Sequence, residues 1–194
     1  NDGGAGGFAN PLFEDCRFEA NIAFLEGGAV LNLGNKGFSN PIFRNTVFIK
    51  NEGHLGGAVF SDGFDGETKP QFFDCDFLEN RAVSLGNSSD PEFGDGGAVY
   101  NLGSAGGFCQ SEFTRCNFEN NRSTGSGGSI LNNGSSGTCD PIFTNCEFKQ
   151  NVSEKFGAAM YNIGNAGFCN PLIQNCLFMK NSGFSAGAIY NLGA

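Results

Sequence analysis

Carboxylates are the residues of this chain with the clearest capacity for chemistry, and many of them gather in one stretch. Asp62, Asp65 and Glu67 lie in D-G-F-D-G-E, Asp74 and Asp76 follow two apart, and Asp90, Glu92 and Asp95 stand a little further on. Oxygen ligands on glycine-rich loops suit Ca²⁺, so Asp62, Asp65 and Glu67 are the candidate calcium ligands. Their spacing matches no established calcium loop, and a solvated acidic patch is the simpler account. Two carboxylates at a suitable separation could also hydrolyse a glycosidic bond. Only Lys69 and Arg81 stand near enough in sequence to clamp an acidic sugar. The expectation is therefore no catalytic residue and no cofactor beyond that calcium candidate, with a polysaccharide lyase or glycosidase as the alternative.

Other chemistries have less support. The single histidine, His54 in N-E-G-H-L, has no Cys, His or carboxylate cluster in its repeat and reads as a surface turn residue. No glycine cluster is followed by Lys-Ser or opens a helix, so a phosphate cradle is excluded. The eight cysteines fall into two columns: Cys16, Cys75, Cys116, Cys146 and Cys176 in one, Cys109, Cys139 and Cys169 in the other. Pairing five against three leaves at least two over, so small buried thiols are a better reading than a disulfide framework. One aromatic column remains: Leu31, Phe60, Tyr100, Leu131, Tyr161, Tyr190. One step from an aliphatic column, it faces outward on a regular strand or inward if a glycine turn resets the strand phase. Facing outward, Phe60, Tyr100, Tyr161 and Tyr190 form a flat platform for lateral protein association or for a sugar face.

The elements that must position these residues are written as a repeat. P-x-F-x-x-C-x-F-x-x-N, a short gap and G-G-A-V-Y-N-x-G recur six times, in units beginning at Pro11, Pro41, Pro70, Ser111, Pro141 and Pro171. A fixed period near thirty residues denotes a solenoid in which each unit buries its apolar face against its neighbours. Cys and the following Phe, two apart, share one strand face. Phe18, Phe48, Phe77, Phe118, Phe148 and Phe178 should stack as a buried ladder, beside Phe13, Phe43, Phe72, Phe113, Phe143 and Ile173. Asn21, Asn51, Asn80, Asn121, Asn151 and Asn181 should form a second, hydrogen-bonded ladder at a turn. Glycines around each GGAV strand supply tight turns. The fold class is all-β: a right-handed parallel β-helix of about six coils, the hand following from the usual handedness of parallel crossovers. The third unit carries an insertion at 81–95 where the others spend four or five residues.

The F-x-x-N element, written FEAN, FIKN, FLEN, FENN, FKQN and FMKN, together with GGAV three times and then GGSI, GAAM and AGAI, resembles the repeats of the chlamydial polymorphic outer membrane proteins. It resembles equally the repeats of related bacterial parallel β-helix surface proteins. The resemblance covers essentially the whole chain. It implies a secreted or surface-displayed β-helix, commonly a passenger or stalk in adhesion.

Composition narrows the partners. A net charge of −9 and a pI near 4.5 repel a phosphate backbone, so nucleic acid is excluded. The absence of an eighteen-residue apolar run excludes insertion of a hydrophobic helix into a membrane. Phenylalanine at 22 residues, placed periodically, supplies the core that glycine at 31 residues would otherwise dilute. The sequence reads as one domain, 1–194, with uncapped ends: a segment of a longer solenoid, or one that stacks end to end. The expected function is a non-enzymatic structural or adhesive segment of an exported bacterial cell-surface protein or extracellular filament, located outside the cell or on the bacterial outer surface. Its expected partners are a protein or glycan at a cell surface, or itself, end to end or laterally. A glycan-binding module is the remaining alternative.

Overall fold

A proline or small residue opens each unit in extended geometry, and a three-residue strand follows. The computed structural model of the chain, which describes residues 1–84, 86 and 94–193, stacks these strands as Leu12–Glu14, Ile42–Arg44, Gln71–Phe73, Glu112–Thr114, Ile142–Thr144 and Leu172–Gln174. A second six-stranded sheet holds Arg17–Glu19, Val47–Ile49, Asp76–Leu78, Asn117–Glu119, Glu147–Lys149 and Leu177–Met179. The GGAV segments form a third, from Val30–Leu33 through Val59–Asp62, Val99–Leu102, Ile130–Asn133 and Met160–Ile163 to Ile189–Leu192. Two five-stranded sheets, mostly of two-residue strands, complete the wall. Every pairing joins adjacent coils in parallel, at equivalent positions as in Phe77↔Phe118 and Tyr100↔Leu131, save for one register shift between Ser153 and Phe156. The result is a β-solenoid of about six turns in which no helix occurs among the described residues.

Sharp corners separate the strands, and most are not made by glycine. Asp15, Asn45, Asp74, Arg115, Asn145 and Asn175 turn the first sheet into the second with φ between 47° and 56°. Ala20, Lys50, Glu79, Asn120, Gln150 and Lys180 make the next corner with φ between 53° and 57°. A non-glycine residue in this left-handed region costs about 1–2 kcal/mol, so the stacked coils on both sides must hold it there. Glycine takes positive φ where the sequence places it before the GGAV strand, at Gly27, Gly56, Gly96, Gly127 and Gly157.

The core fills by columns. Successive rings of the Phe18–Phe178 ladder stack at 4.7–5.0 Å, and the Phe13–Phe143 ladder does the same. The two ladders meet edge to face, as at Phe113–Phe118, 5.5 Å apart, the arrangement that the ring quadrupole favours. Cys75, Cys116 and Cys146 sit buried in the same core with Val59, Val99, Ile130 and Met160.

The asparagine ladder forms as the spacing predicts. Asn121 Nδ2 donates to Asn151 Oδ1 at 3.0 Å and to the Phe77 carbonyl at 2.9 Å, its own N–H also reaches Asn151 Oδ1, and Asn80 donates to it from the other side. The same pattern runs from Asn21 to Asn181. A second, discontinuous polar column in the third sheet includes Asn101, Asn132, Asn162 and Asn191, linked at 2.7–2.8 Å.

Both cysteine columns consist of free thiols. Cys109 and Cys139 are fully buried, while Cys16, Cys169 and Cys176 are half-buried. In-register parallel strands hold adjacent sulfurs side by side, an unsuitable approach for a disulfide. Thiol titration of the denatured, unreduced chain should therefore count eight sulfhydryls. A count of zero would mean that the columns are bonded.

Candidate functional site

The acidic stretch is assembled by the end of one GGAV strand and the turn after it. Asp62 closes Val59–Asp62, where the Ser104 hydroxyl donates to its Oδ1 at 3.0 Å; burial pushes its carboxyl up despite that bond. Asp65 takes the exposed left-handed turn position, and Glu67 pairs with Lys69 at 2.7 Å. Asp62 is thus engaged by Ser104 and Glu67 by Lys69. Among the described residues no group of three His, Cys, Asp or Glu side chains comes together that could hold a metal, Asp62, Asp65 and Glu67 included. Asp74 is taken by Arg115, whose guanidinium contacts both carboxylate oxygens at 2.6 and 2.7 Å and holds the carboxyl below its ordinary range. Asp76 stands on the second sheet beside Asn117 and Val47. Asp90 and Glu92, in the insertion, lie outside the described residues.

The aromatic column faces away from the main core yet is not exposed. Phe60 and Leu131 are 2% and 1% accessible, and Tyr100 and Tyr161 8% each; Tyr190 is half-buried at the end. The outward platform expected of Phe60, Tyr100, Tyr161 and Tyr190 is instead a second hydrophobic core. Leu55 and Phe156, in the segments that lead into the GGAV turns, pack against it with Leu33, Leu102 and Ile163. Those segments supply the cover that periodicity alone did not reveal. The Tyr100 hydroxyl accepts from Asn133 Nδ2 at 3.1 Å, and burial raises its phenol pKa strongly.

His54 also departs from its sequence reading. It is buried rather than a surface residue, and its Nδ1 lies 2.9 Å from the Val83 carbonyl, which fixes the proton on Nδ1 because a carbonyl can only accept. Val83 N–H donates to the Gly53 carbonyl, Asp95 N–H to the His54 carbonyl, and Gly94 N–H to the Thr124 hydroxyl. Asp95 Oδ1 accepts from Ser126 N–H at 2.6 Å. His54, Thr124 and Asp95 thus pin both roots of the insertion to neighbouring coils. A lone histidine and a lone aspartate carry no spacing signal for such a contact. The irregular length of the third unit was the one clue to look there.

Burial pushes the Asp95 carboxyl up, and the Ser126 N–H bond, with nearby His54 and Lys155, pulls only partly the other way. A carboxyl with a raised folded pKa adds stability below the unfolded value, about 3.9, and loses it as pH rises through the folded value. Asp95→Asn keeps an acceptor for Ser126 and removes the ionisation. Its melting temperature should exceed that of the parent at pH 7 by more than it does at pH 3.5. An equal or smaller gain at pH 7 would contradict the burial account.

A cavity of about 540 Å³ opens at the C-terminal coil, lined by Gly164, Phe168, Cys169, Ile173, Ile189 and Asn191 among others. Its lining is apolar and amide in character and contains no carboxylate, lysine, arginine or histidine.

What recurs with full regularity is the coil itself. In the fourth coil Phe118 and Asn121 supply the two ladders, Gly127 makes the positive-φ turn, and Ile130 enters the core. Residues 115–133 match the Chlamydia polymorphic membrane protein repeat. That match spans both recurring elements of the coil, FENN and GGSI, and similar elements recur through the stacked turns on either side. Searches among curated proteins and among solved structures find no significant match.

Proposed function

We propose that the chain is a structural and adhesive stretch of a bacterial outer-surface protein, without catalytic activity, and that its outward side chains meet a protein or glycan at a cell surface. The match of residues 115–133, which hold FENN and GGSI, to the Chlamydia polymorphic membrane protein repeat carries the reading. The chemistry-capable residues support it, because they serve the fold: the asparagines in ladders, the tyrosines in a second core, Asp74 in an ion pair. The outer wall bears exposed cross-coil charge pairs, Arg81–Glu52 and Arg122–Glu154 among them. Such pairs contribute little to stability and leave the surface free to be read by a partner.

The test presents the purified chain to epithelial cells and, separately, to polyuronates and neutral glycans with and without calcium. Saturable cell retention that weakens in Arg81→Glu/Arg122→Glu, with no new reducing or unsaturated ends, is the expected result. Cleavage abolished by Asp74→Ala or Asp76→Ala would replace this reading with the enzyme. Retention reproduced in full by one free glycan would narrow it to a glycan-binding module.

A further inference from the structure

Where outward charges stand opposite each other on neighbouring coils they are of opposite sign, with one exception. Glu14 faces Arg44, Glu119 faces Lys149 and Glu52 faces Arg81. Arg81 is also the register partner of Arg122 on the next coil, so the two side chains rise next to each other from one face. Among the described residues this is the one strand pairing that sets like charge against like. Such a pairing disfavours the sheet that carries it, and the fold gains nothing from it.

The two guanidiniums are also under-used. Arg81 Nη1 donates to Glu52 Oε2 at 3.3 Å, and Arg122 Nη2 donates to Glu154 Oε1 at 2.7 Å. Among the described residues those are the hydrogen bonds that these side chains make, which leaves most N–H donors of each fork unoccupied. Both acids lie outside the pair. Glu52 belongs to the coil before Arg81, and Glu154 follows Val152, the partner of Arg122 on the coil beyond. The register therefore puts no carboxylate between the arginines. They are 54% and 51% exposed, and both stand in interior coils with further coils stacked on either side.

The surroundings select the anion. A carboxylate presents two coplanar oxygens, the shape that an arginine fork binds with two parallel hydrogen bonds. At the adjoining corner the exposed Asn120 and Gln150 offer amides to neighbouring hydroxyls. Glu79 and Glu119 stand at that edge as well, and with Glu52 and Glu154 they ring the arginines with negative charge. A densely charged polyanion would lie across that ring and be repelled. An isolated carboxylate flanked by neutral, hydroxyl-rich units avoids it. The net charge of −9 does not prevent the contact, because at physiological ionic strength fields fade over about 8 Å.

We propose that Arg81 and Arg122 together bind the isolated carboxylate of an acidic sugar, in a cell-surface glycan where neutral units separate the charges, with Asn120 and Gln150 on the adjoining hydroxyls. This names the glycan class for the surface described above and rests on that adhesive reading.

Isothermal titration of the purified chain with sialyllactose, hyaluronan oligosaccharides, lactose and dextran sulfate tests it. At least one of the two carboxylate sugars should bind saturably and lactose should not; the first sugar reports a terminal carboxylate and the second an internal one. Arg81→Gln or Arg122→Gln should weaken binding at least about tenfold, the scale of losing a hydrogen bond to a charged group. Arg81→Lys/Arg122→Lys keeps the charges without the forks and should weaken it about as much. Glu52→Gln/Glu154→Gln releases the guanidiniums and should tighten it, while Arg44→Gln, at an exposed arginine of another sheet, should leave it unchanged. All these positions are on the surface, so each variant should melt like the parent. No binding of either carboxylate sugar, by the chain or by Glu52→Gln/Glu154→Gln, would overturn the proposal. So would undiminished binding by the lysine variant, or dextran sulfate binding more tightly than both sugars. Cell retention without sugar binding would sink this inference and leave the adhesive reading standing; sugar binding without cell retention would do the reverse.

Discussion

Asn121→Ala should be the most damaging single polar substitution in the chain. Its side chain stands mid-ladder and fully buried, and its removal orphans the Asn80 N–H and Nδ2–H and the Phe77 carbonyl at once. Each buried polar group left without a partner costs about 1–3 kcal/mol. A loss of at least about 3 kcal/mol in urea unfolding follows from that range. Asn21→Ala, at the half-exposed end of the same ladder, should cost distinctly less. Equal losses at the two positions would mean that the ladder contributes turn propensity rather than buried hydrogen bonds.

Phe118→Ala is expected to cost about 3–5 kcal/mol, the range for deleting a core aromatic. The ring is fully buried, stacked on Phe77 at 4.7 Å and Phe148 at 4.8 Å, with Phe113 edge-on. Coils above and below are tied to rigid corners and cannot collapse into the cavity. Phe178→Ala, at an open end, is the control. A denaturant midpoint for Phe118→Ala displaced by less than the equivalent of about 1 kcal/mol, as for a surface residue, would contradict the ladder.

The main core was legible because its signal is a period. Phe18, Phe118, Asn21 and Asn121 recur at one position per coil, and a side chain required at the same place six times has the same neighbours six times. The second core was not legible for the opposite reason. Alternation says that Tyr100 and Tyr161 leave the main core, but what covers them comes from Leu55 and Phe156, in the gap where coil lengths and residue types vary. In the acidic stretch, nearness in sequence is not nearness of partners: the coil directs Asp62 to Ser104 and Glu67 to Lys69. The corners at Arg115 and Lys50 lie in left-handed geometry that the residue types disfavour. There the stacked fold overrides local preference, and a residue-by-residue reading assigns the bend to the nearest glycine instead.

The parallel register has a mechanical consequence. The ladder bonds between coils, backbone and asparagine alike, run along the solenoid axis, so tension between its ends loads them lengthwise, one coil boundary at a time. Such a body peels where a sheared sheet would resist as a block. Each thirty-residue coil that opens releases about 100 Å of extended chain, while the coils beyond it keep their rings stacked. A solenoid of this kind should act under load as a stepwise tether, yielding one coil's length at a time, with a longer step at the unit that carries the insertion.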